Sequence, residues 1–236
     1  MDVIGLIPAR GESKAIPLKN IHPLCGRPLI EYTAKAAVQS KLLKTTYLST
    51  DSEQIAGAVK FFGVQVPFMR PSEISVDETP MIEVLKHMVA WLRKSSELSS
   101  IFAIALLQPT SPLRTSQQID EAIQLFLSSK AETLVSVTEV PHSFHPSSLY
   151  NLNEEKQTSP FLNENKENSL PLRRQDKPKL YARNGPAILI LSSKQIETGK
   201  IYGNRTFGYL MDRTSSLDID SYEDLKLAEY YLKNSI

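Results

Sequence analysis

Val3-Ile4-Gly5-Leu6-Ile7-Pro8-Ala9-Arg10-Gly11-Glu12-Ser13-Lys14 is the segment on which the fold turns. Val3 to Ile7 is a short, nearly continuous apolar run ended by a proline. That pattern suits a strand buried on both faces better than one alternating between core and water, and it predicts a central strand. The next residues are of a different kind. From Arg10 to Cys25 the residues Gly11, Ser13, Lys14, Pro17, Lys19, Asn20 and Pro23 leave no helical period. The segment therefore reads as a long loop, and loops of this length inside a compact domain usually carry function.

Beyond this loop, strand-like and helix-like segments alternate. Pro28 is placed as the first helical residue ahead of Leu29, Ile30, Ala34, Ala37 and Val38, a single apolar face running to about Leu42. Thr46 to Ser49 is the next strand. Ser52 is positioned to cap a helix that runs through Phe62 and stops at Gly63, and Val64 to Phe68 begins a third extended piece. Met81, Leu85, Met88, Val89 and Leu92 keep helical spacing, and Ile101 to Leu107 is again a continuous apolar strand. Thr115 with Gln118 makes a capping box ahead of Ile119, Ala122, Ile123 and Phe126. Thr133 to Val140, Pro186 to Leu191 and Phe207 to Met211 are further strands, and Ser221 caps a last helix carrying Leu225, Ala228 and Leu232. This alternation predicts an α/β fold with a mostly parallel sheet.

One segment breaks the rhythm. Pro141 to Tyr181 holds Pro141, Pro146, Pro160, Pro171 and Pro178 among many Asn, Glu and Lys, which excludes a core strand or a long helix. Without a core of its own it is either a loose lid or an arm that packs on another subunit, and composition weighs the two equally.

A chain of 236 residues that is 41% hydrophobic suits one soluble domain, so residues 1–236 are read as one domain with 141–181 as an insertion. Its 27 basic residues balance 26 acidic ones, which excludes a broad basic surface for nucleic acid but allows a local pocket for a small polyanion. Cys25, the single cysteine, has no intrachain partner and no zinc-spaced neighbours, so it reads as a packed thiol in a reducing compartment. No apolar run approaches the roughly 18 to 20 residues that cross a bilayer. Met1 to Pro8 also lacks the charged and long apolar regions of a signal peptide. The expectation is a cytoplasmic protein with neither membrane nor nucleic-acid partners.

Ligands of open parallel sheets bind beyond the carboxyl ends of the strands, and three polar clusters fall at such places. They are Ala9 to Lys14 after the first strand, Gln108 to Arg114 after Leu107, and Asp218-Ile219-Asp220 before the last helix. Arg10, Lys14 and Lys19 offer cations, and Gly11 and Ser13 offer donors, which suits a triphosphate; a solvated basic loop is the plain alternative. Neither G-x-x-x-x-G-K-[ST] nor G-x-G-x-x-G is present. Asp218 and Asp220 point the same way if extended, and two hard carboxylates suit Mg²⁺ shared with phosphates. They would equally favour a helix N-terminus, an effect of about 0.3 to 1 kcal/mol. His22, His87, His142 and His145 share no ligand spacing, and G-x-S-x-G is absent, so neither zinc chemistry nor serine hydrolysis is supported.

Six motifs in chain order carry a resemblance: I-P-A-R-G-E-S-K-A-I-P-L-K-N (Ile7 to Asn20), F-M-R-P (Phe68 to Pro71), L-L-Q-P-T-S-P-L-R (Leu106 to Arg114), R-R-Q-D-K-P (Arg173 to Pro178), N-G (Asn184, Gly185) and D-I-D (Asp218 to Asp220). Together they resemble the acylneuraminate cytidylyltransferase family, the CMP-sialic acid synthetases and their relatives. The resemblance implies a Rossmann-like, GT-A-type nucleotidyltransferase in which a 2-keto sugar acid attacks the α-phosphate of CTP and releases pyrophosphate with Mg²⁺. It puts Arg10, Ser13, Lys14 and Lys19 on the triphosphate, with Arg10, Lys14 and Lys19 in the catalytic role. Asn20 and Arg70 fall at nucleotide-contacting positions, Gln108 and Arg174 at sugar-contacting ones, and Asp218 and Asp220 at the metal pair. It also implies a homodimer, with the 141–181 insertion across the interface and Arg174 delivered to a partner's site.

The chain departs from the family pattern in places. Ala15 stands where glycine is common, and Ser148 and Ala182 stand where sialic acid enzymes carry basic residues, with Arg173 or Arg183 as the candidates to substitute. The sugar is thus open among sialic, legionaminic, pseudaminic and other nine-carbon acids, with an eight-carbon acid less favoured. A non-catalytic nucleotide sensor of the same fold would be expected to lose triphosphate or metal contacts, whereas Lys14, Lys19, Asp218 and Asp220 are kept. A glycosyltransferase would need its D-x-D pair mid-chain rather than near the C-terminus.

Overall fold

The first apolar run forms strand β1 (Asp2–Pro8), in which Val3 and Ile7 enter one core cluster and Ile4 and Leu6 another. A strand with apolar side chains on both faces needs cover on both, and the rest of the chain supplies it. The computed structural model describes residues 1–95, 102–162, 173, 175 and 177–234. They divide into two units, Met1–Val137 with Arg183–Ile236, and Thr138–Ala182.

In the larger unit β1 is joined by β2 (Thr46–Ser49), β3 (Phe102–Leu106), β4 (Thr133–Glu139), β5 (Leu189–Ser192) and β6 (Thr206–Leu210), in the order β6-β4-β5-β3-β1-β2. β1 pairs parallel with both neighbours, Gly5 opposite Thr46 and Ala105, as a central strand should. β6 runs parallel to β4, and of these six strands β5 is the reversed one, antiparallel to both β3 and β4. Its first residue, Leu189, lies opposite Leu106, the last of β3. The chain leading into β5 therefore sits at the carboxyl ends of the parallel strands, where the sequence places ligands.

Helices α1 (Leu29–Gln39), α2 (Glu53–Val59), α3 (Met81–Ser95), α4 (Ser116–Ser129), α5 (Ser193–Glu197) and α6 (Tyr222–Asn234) complete this unit. Buried residues of α1, α2 and α4 share the cluster of Val3 and Ile7, and those of α3 and α5 share that of Ile4 and Leu6. The result is a three-layer α/β arrangement with a mostly parallel sheet, as the alternating pattern predicts, and of the Rossmann-like kind that the resemblance implies.

Several boundaries differ from expectation. Pro28 is the cap before α1 rather than its first residue, because Arg27–Pro28 pairs as a short strand with Pro23–Leu24. α1 ends at Gln39, short of Leu42. Asp120 of α4 accepts hydrogen bonds from the Ser40 hydroxyl and from the backbone N–H groups of Lys41 and Leu42, and so draws the chain out of the helix. The α2 helix proper stops at Val59 and continues as a tighter turn, Lys60–Phe62, to Gly63 at φ 80°, with Ser52 capping through Ile55 N–H. Val64 to Phe68 makes only isolated bridges such as Tyr47 with Gln65. The capping box is formed, Thr115 Oγ1 accepting from Gln118 N–H and Gln118 Oε1 from Thr115 N–H.

The smaller unit holds two short 3₁₀ turns, His142–Phe144 and Pro146–Ser148, and a hairpin of Tyr150–Leu152 with Thr158–Pro160. Every residue of those two hairpin strands is exposed. Arg174, expected on the sugar, lies outside the described residues.

Candidate active site

From Arg10 to His22 the first loop has a 3₁₀ turn, Lys19–Ile21, as its regular structure, and the D-I-D segment has none, so apolar burial holds them. Ile16 from the loop and Ile219 between the two aspartates are fully buried in one cluster with Leu24, Leu29, Leu225 and Ala228. Each large apolar side chain of this kind contributes about 1.5 to 3 kcal/mol on leaving water. The two motifs, some 200 residues apart in the chain, thus share one floor supplied by α1 and α6.

Polar joints fix the register above that floor. Lys19 Nζ donates to the Ile219 carbonyl at 2.9 Å and to Asp220 Oδ1 at 3.2 Å. Its side chain is 14% exposed against 78% for Asp220, so the lysine is held and the aspartate open to solvent. Asn20 Nδ2 donates to the Arg10 carbonyl at 2.9 Å and steadies the loop from within. Gly11 N–H donates to Asp51 Oδ1 at 2.8 Å, and a Cβ on Gly11 would come within 3.3 Å of Ser52 Cβ, so the close approach wants a glycine.

The Gln108 loop is tied in by a buried cation. Arg114 donates to the carbonyls of Ala187 at 2.6 Å and Gln108 at 3.3 Å, and to Thr33 Oγ1 at 2.8 Å. Burial pulls its pKa down to about 9, which still leaves the guanidinium charged at neutral pH. Thr110 grips the aspartate segment twice, its carbonyl accepting from Ile219 N–H at 2.8 Å and its hydroxyl bonding the Asp218 carboxylate. From the reversed strand's approach comes Gly185, at φ 115°, where a Cβ would stand 3.0 Å from Asp218 Oδ2.

Two adjoining cavities open over these groups, of about 840 and 260 Å³. Arg10, Ser13 and Arg70 line both, Lys14 the larger, and Lys19, Asn20, Gln108 and Thr110 the smaller. The larger volume is in the range of sites for ligands of nucleotide size. Asp218 and Asp220 line neither, but Thr110 and Lys19 join them to the rim of the smaller. The crevice therefore gathers Arg10, Ser13, Lys14, Lys19, Asn20, Arg70 and Gln108 as the sequence predicts, and the two aspartates adjoin it.

The electrostatics are mixed rather than uniformly basic. Arg10 and Lys14 both pair with Asp77, Lys14 at 2.6 Å. Arg70 is buried, donates through Nε to Ser75 Oγ at 3.2 Å and lies 3.9 Å from Asp51, and burial lowers its pKa. Asp218 is the reverse case: burial, and to a lesser degree the neighbouring Asp220 charge, push its carboxyl above the ordinary aspartate value against the Thr110 bond. Its Oδ1 is buried and accepts no hydrogen bond among the described residues. A buried oxygen left unpaired is costly.

Sequence patterns do not single out Asp51, Asp77 or the role of Gly185. Asp51 closely follows β2, and the carboxyl-end rule applied to that strand is the signal that finds it. Asp77 sits in irregular chain before α3 with no local pattern to reveal it. Gly185 stands in a motif, but its closeness to Asp218 is a product of the reversed strand.

Known proteins resemble this chain in sequence and in fold. A family model described as cytidylyltransferase matches residues 4–236. The chain is 33% identical over 229 residues to an N-acylneuraminate cytidylyltransferase of Escherichia coli O18:K1:H7, covering 96% of this chain and 51% of that protein. It thus spans about half the length of that relative. It is 32% identical to a CMP-N,N'-diacetyllegionaminic acid synthase of Legionella pneumophila, covering 97% and 95% of the two chains. Among solved structures, a CMP:2-keto-3-deoxy-manno-octonic acid synthetase complexed with CTP superposes with a TM-score of 0.70 at 14% identity over the whole of both chains, a likeness of fold.

Proposed function

Since this chain belongs to the cytidylyltransferase family, we propose that it transfers CMP from CTP to a nine-carbon 2-keto sugar acid of the sialic or legionaminic type and releases pyrophosphate. The observation that carries the reading is Lys19, whose ammonium joins the loop of Arg10, Ser13 and Lys14 to the aspartate pair across the whole length of the chain. A triphosphate in the larger cavity would meet Arg10 and Lys14, with Arg70 and Asn20 available to the nucleoside. A sugar acid would meet Gln108 in the smaller one, and Arg174 if an arm brings it. In-line displacement at phosphorus gains chiefly from cations fixed where charge develops, and Lys19 sits between the two halves of that task.

Asp218 and Asp220 would hold Mg²⁺. Two hard carboxylates, one with a buried oxygen that accepts no hydrogen bond among the described residues, suit such an ion. Among the described residues no group of three or more His, Cys, Asp or Glu is gathered, so its other ligands would be phosphate and water. Mg²⁺, when bound, neutralises phosphate charge and makes the sugar hydroxyl more acidic. A sensor with no chemistry would be expected to lose triphosphate or metal contacts, whereas Lys19 and Asp220 are kept side by side.

Within the same reading the reaction belongs to the cytoplasm; no helix among the described residues is long and apolar enough to cross a membrane. The 141–181 segment is read as the arm of a homodimer. The test is pyrophosphate release from CTP with a panel of 2-keto sugar acids, with and without Mg²⁺. Release that needs both sugar acid and metal is expected, and the sugar giving the highest kcat/KM names the substrate. Tight CTP binding without turnover on any sugar would restore the sensor.

A further inference from the structure

Asp77 occupies a position that no part of the proposed reaction explains. Its two carboxylate oxygens are each taken by a different cation of the first loop, Oδ1 by Arg10 Nη1 and Oδ2 by Lys14 Nζ at 2.6 Å. It lies in the irregular chain between the Ser72–Ile74 turn and α3, lines both cavities, and its side chain is 23% exposed. Lys14 is 79% exposed, so its place over the crevice depends on this partner. The other acids of the larger cavity are Glu12, Asp51 and Glu78; among the described residues none of them pairs with Arg10 or Lys14, and Asp51 is engaged by Gly11 and Arg70.

Two cations gripping two oxygens of one anion is also how a phosphate group is held. Arg10 and Lys14 cannot keep Asp77 and give the same donors to a polyphosphate. We propose that Asp77 is an internal counter-anion that exchanges with the β,γ-phosphates. It yields Arg10 and Lys14 to the triphosphate and recovers them from pyrophosphate, and so favours departure of the leaving group after transfer. Asp77 is thus a positioning residue acting through the two cations, with no contact of its own to the reacting phosphorus. The Lys14 hydrogen bond holds its carboxyl below the ordinary aspartate value, so the competing charge is present throughout the neutral range.

The inference rests on reading Arg10 and Lys14 as triphosphate-binding cations, and the experiment separates the two. Pyrophosphate, CTP and CMP are titrated calorimetrically into the wild type, Asp77→Asn and Asp77→Glu, and kcat and KM are measured for each. Removing the competing charge should tighten pyrophosphate, and lower KM for CTP, by about three- to tenfold, the scale of two partly exposed ion pairs. CMP affinity should not change, since CMP brings no β- or γ-phosphate. Slower pyrophosphate release should lower kcat or strengthen product inhibition, and Asp77→Glu, which keeps the charge, should stay near wild type. A purely structural Asp77 would weaken all three ligands together. Unchanged or weaker pyrophosphate binding in Asp77→Asn, with wild-type turnover intact, overturns the inference alone. Tighter pyrophosphate with no turnover on any sugar overturns the transferase reading alone, and no pyrophosphate binding by any of the three proteins overturns both.

Discussion

At Asp218 a buried carboxylate oxygen has no partner among the described residues, and burial has raised the carboxyl's pKa. Between the ordinary aspartate value of 3.8 and the raised one, the folded protein keeps a proton that the unfolded chain has already released. Stability contributed by this residue is therefore present at low pH and lost as pH rises through that window. Asp218→Asn should accordingly melt at the same or a higher temperature than the wild type in metal-free buffer, the difference growing with pH until Asp218 is ionised. Mg²⁺ should raise the melting temperature of the wild type only. A variant that is less stable at every pH would show that the carboxylate is structural. Lys19→Ala is the companion case. Losing one charged donor from a phosphoryl-transfer site costs on the order of tenfold to a thousandfold in turnover, and wild-type kinetics would return the loop to a solvated surface feature.

Between loops and helices, the important element is the small cluster of Ile16, Ile219 and α6. Ile219 is fully buried, and Ile→Ala changes in such places cost about 2 to 5 kcal/mol. Ile219→Ala should therefore lower the urea midpoint. It should also reduce kcat/KM at temperatures where the protein stays folded, although the side chain is sealed from solvent, because Asp218, Asp220 and the first loop lose their common floor. Unchanged kinetics in the folded variant would mean that the polar joints at Lys19 and Thr110 suffice. The reversed β5 has a comparable part: its approach sets Gly185 against Asp218 and carries the Ala187 carbonyl to Arg114.

Across the protein as a whole, the smaller unit leaves Phe144, Tyr150, Leu152 and Phe161 each more than half exposed, a set of apolar groups that wants a partner. In the larger unit the edge strand β6 exposes Phe207 and Leu210, and open edges invite cover. A homodimer burying roughly 1,200 to 2,000 Å² is expected by light scattering at micromolar concentration. If Arg174 serves a neighbour's site, mixed Arg174→Ala and Asp218→Asn subunits should regain activity above either parent. A monomer, or heterodimers without that gain, would remove the shared site.

Much of the architecture is legible in the chain because local patterns carry it. The continuous apolar runs around Ile4 and Ile104 allow only strands covered on both faces, the Thr115 box and Ser52 cap mark helix starts by local hydrogen bonding, and the prolines between 141 and 181 exclude core structure. Arg10, Ser13, Lys14, Lys19, Gln108 and Asp218 can be gathered because strand ends bring loops to one side of a parallel sheet. Other features are long-range and leave no mark on neighbouring residues: the reversal of β5, the end of α1 drawn out by Asp120, the burial that raises Asp218, and the grip of Asp77 on two cations. Periodicity records which face of an element is apolar. It does not record which distant charge will stand beside it, and that is settled only when the sheet brings residues some 200 positions apart to within 3 Å.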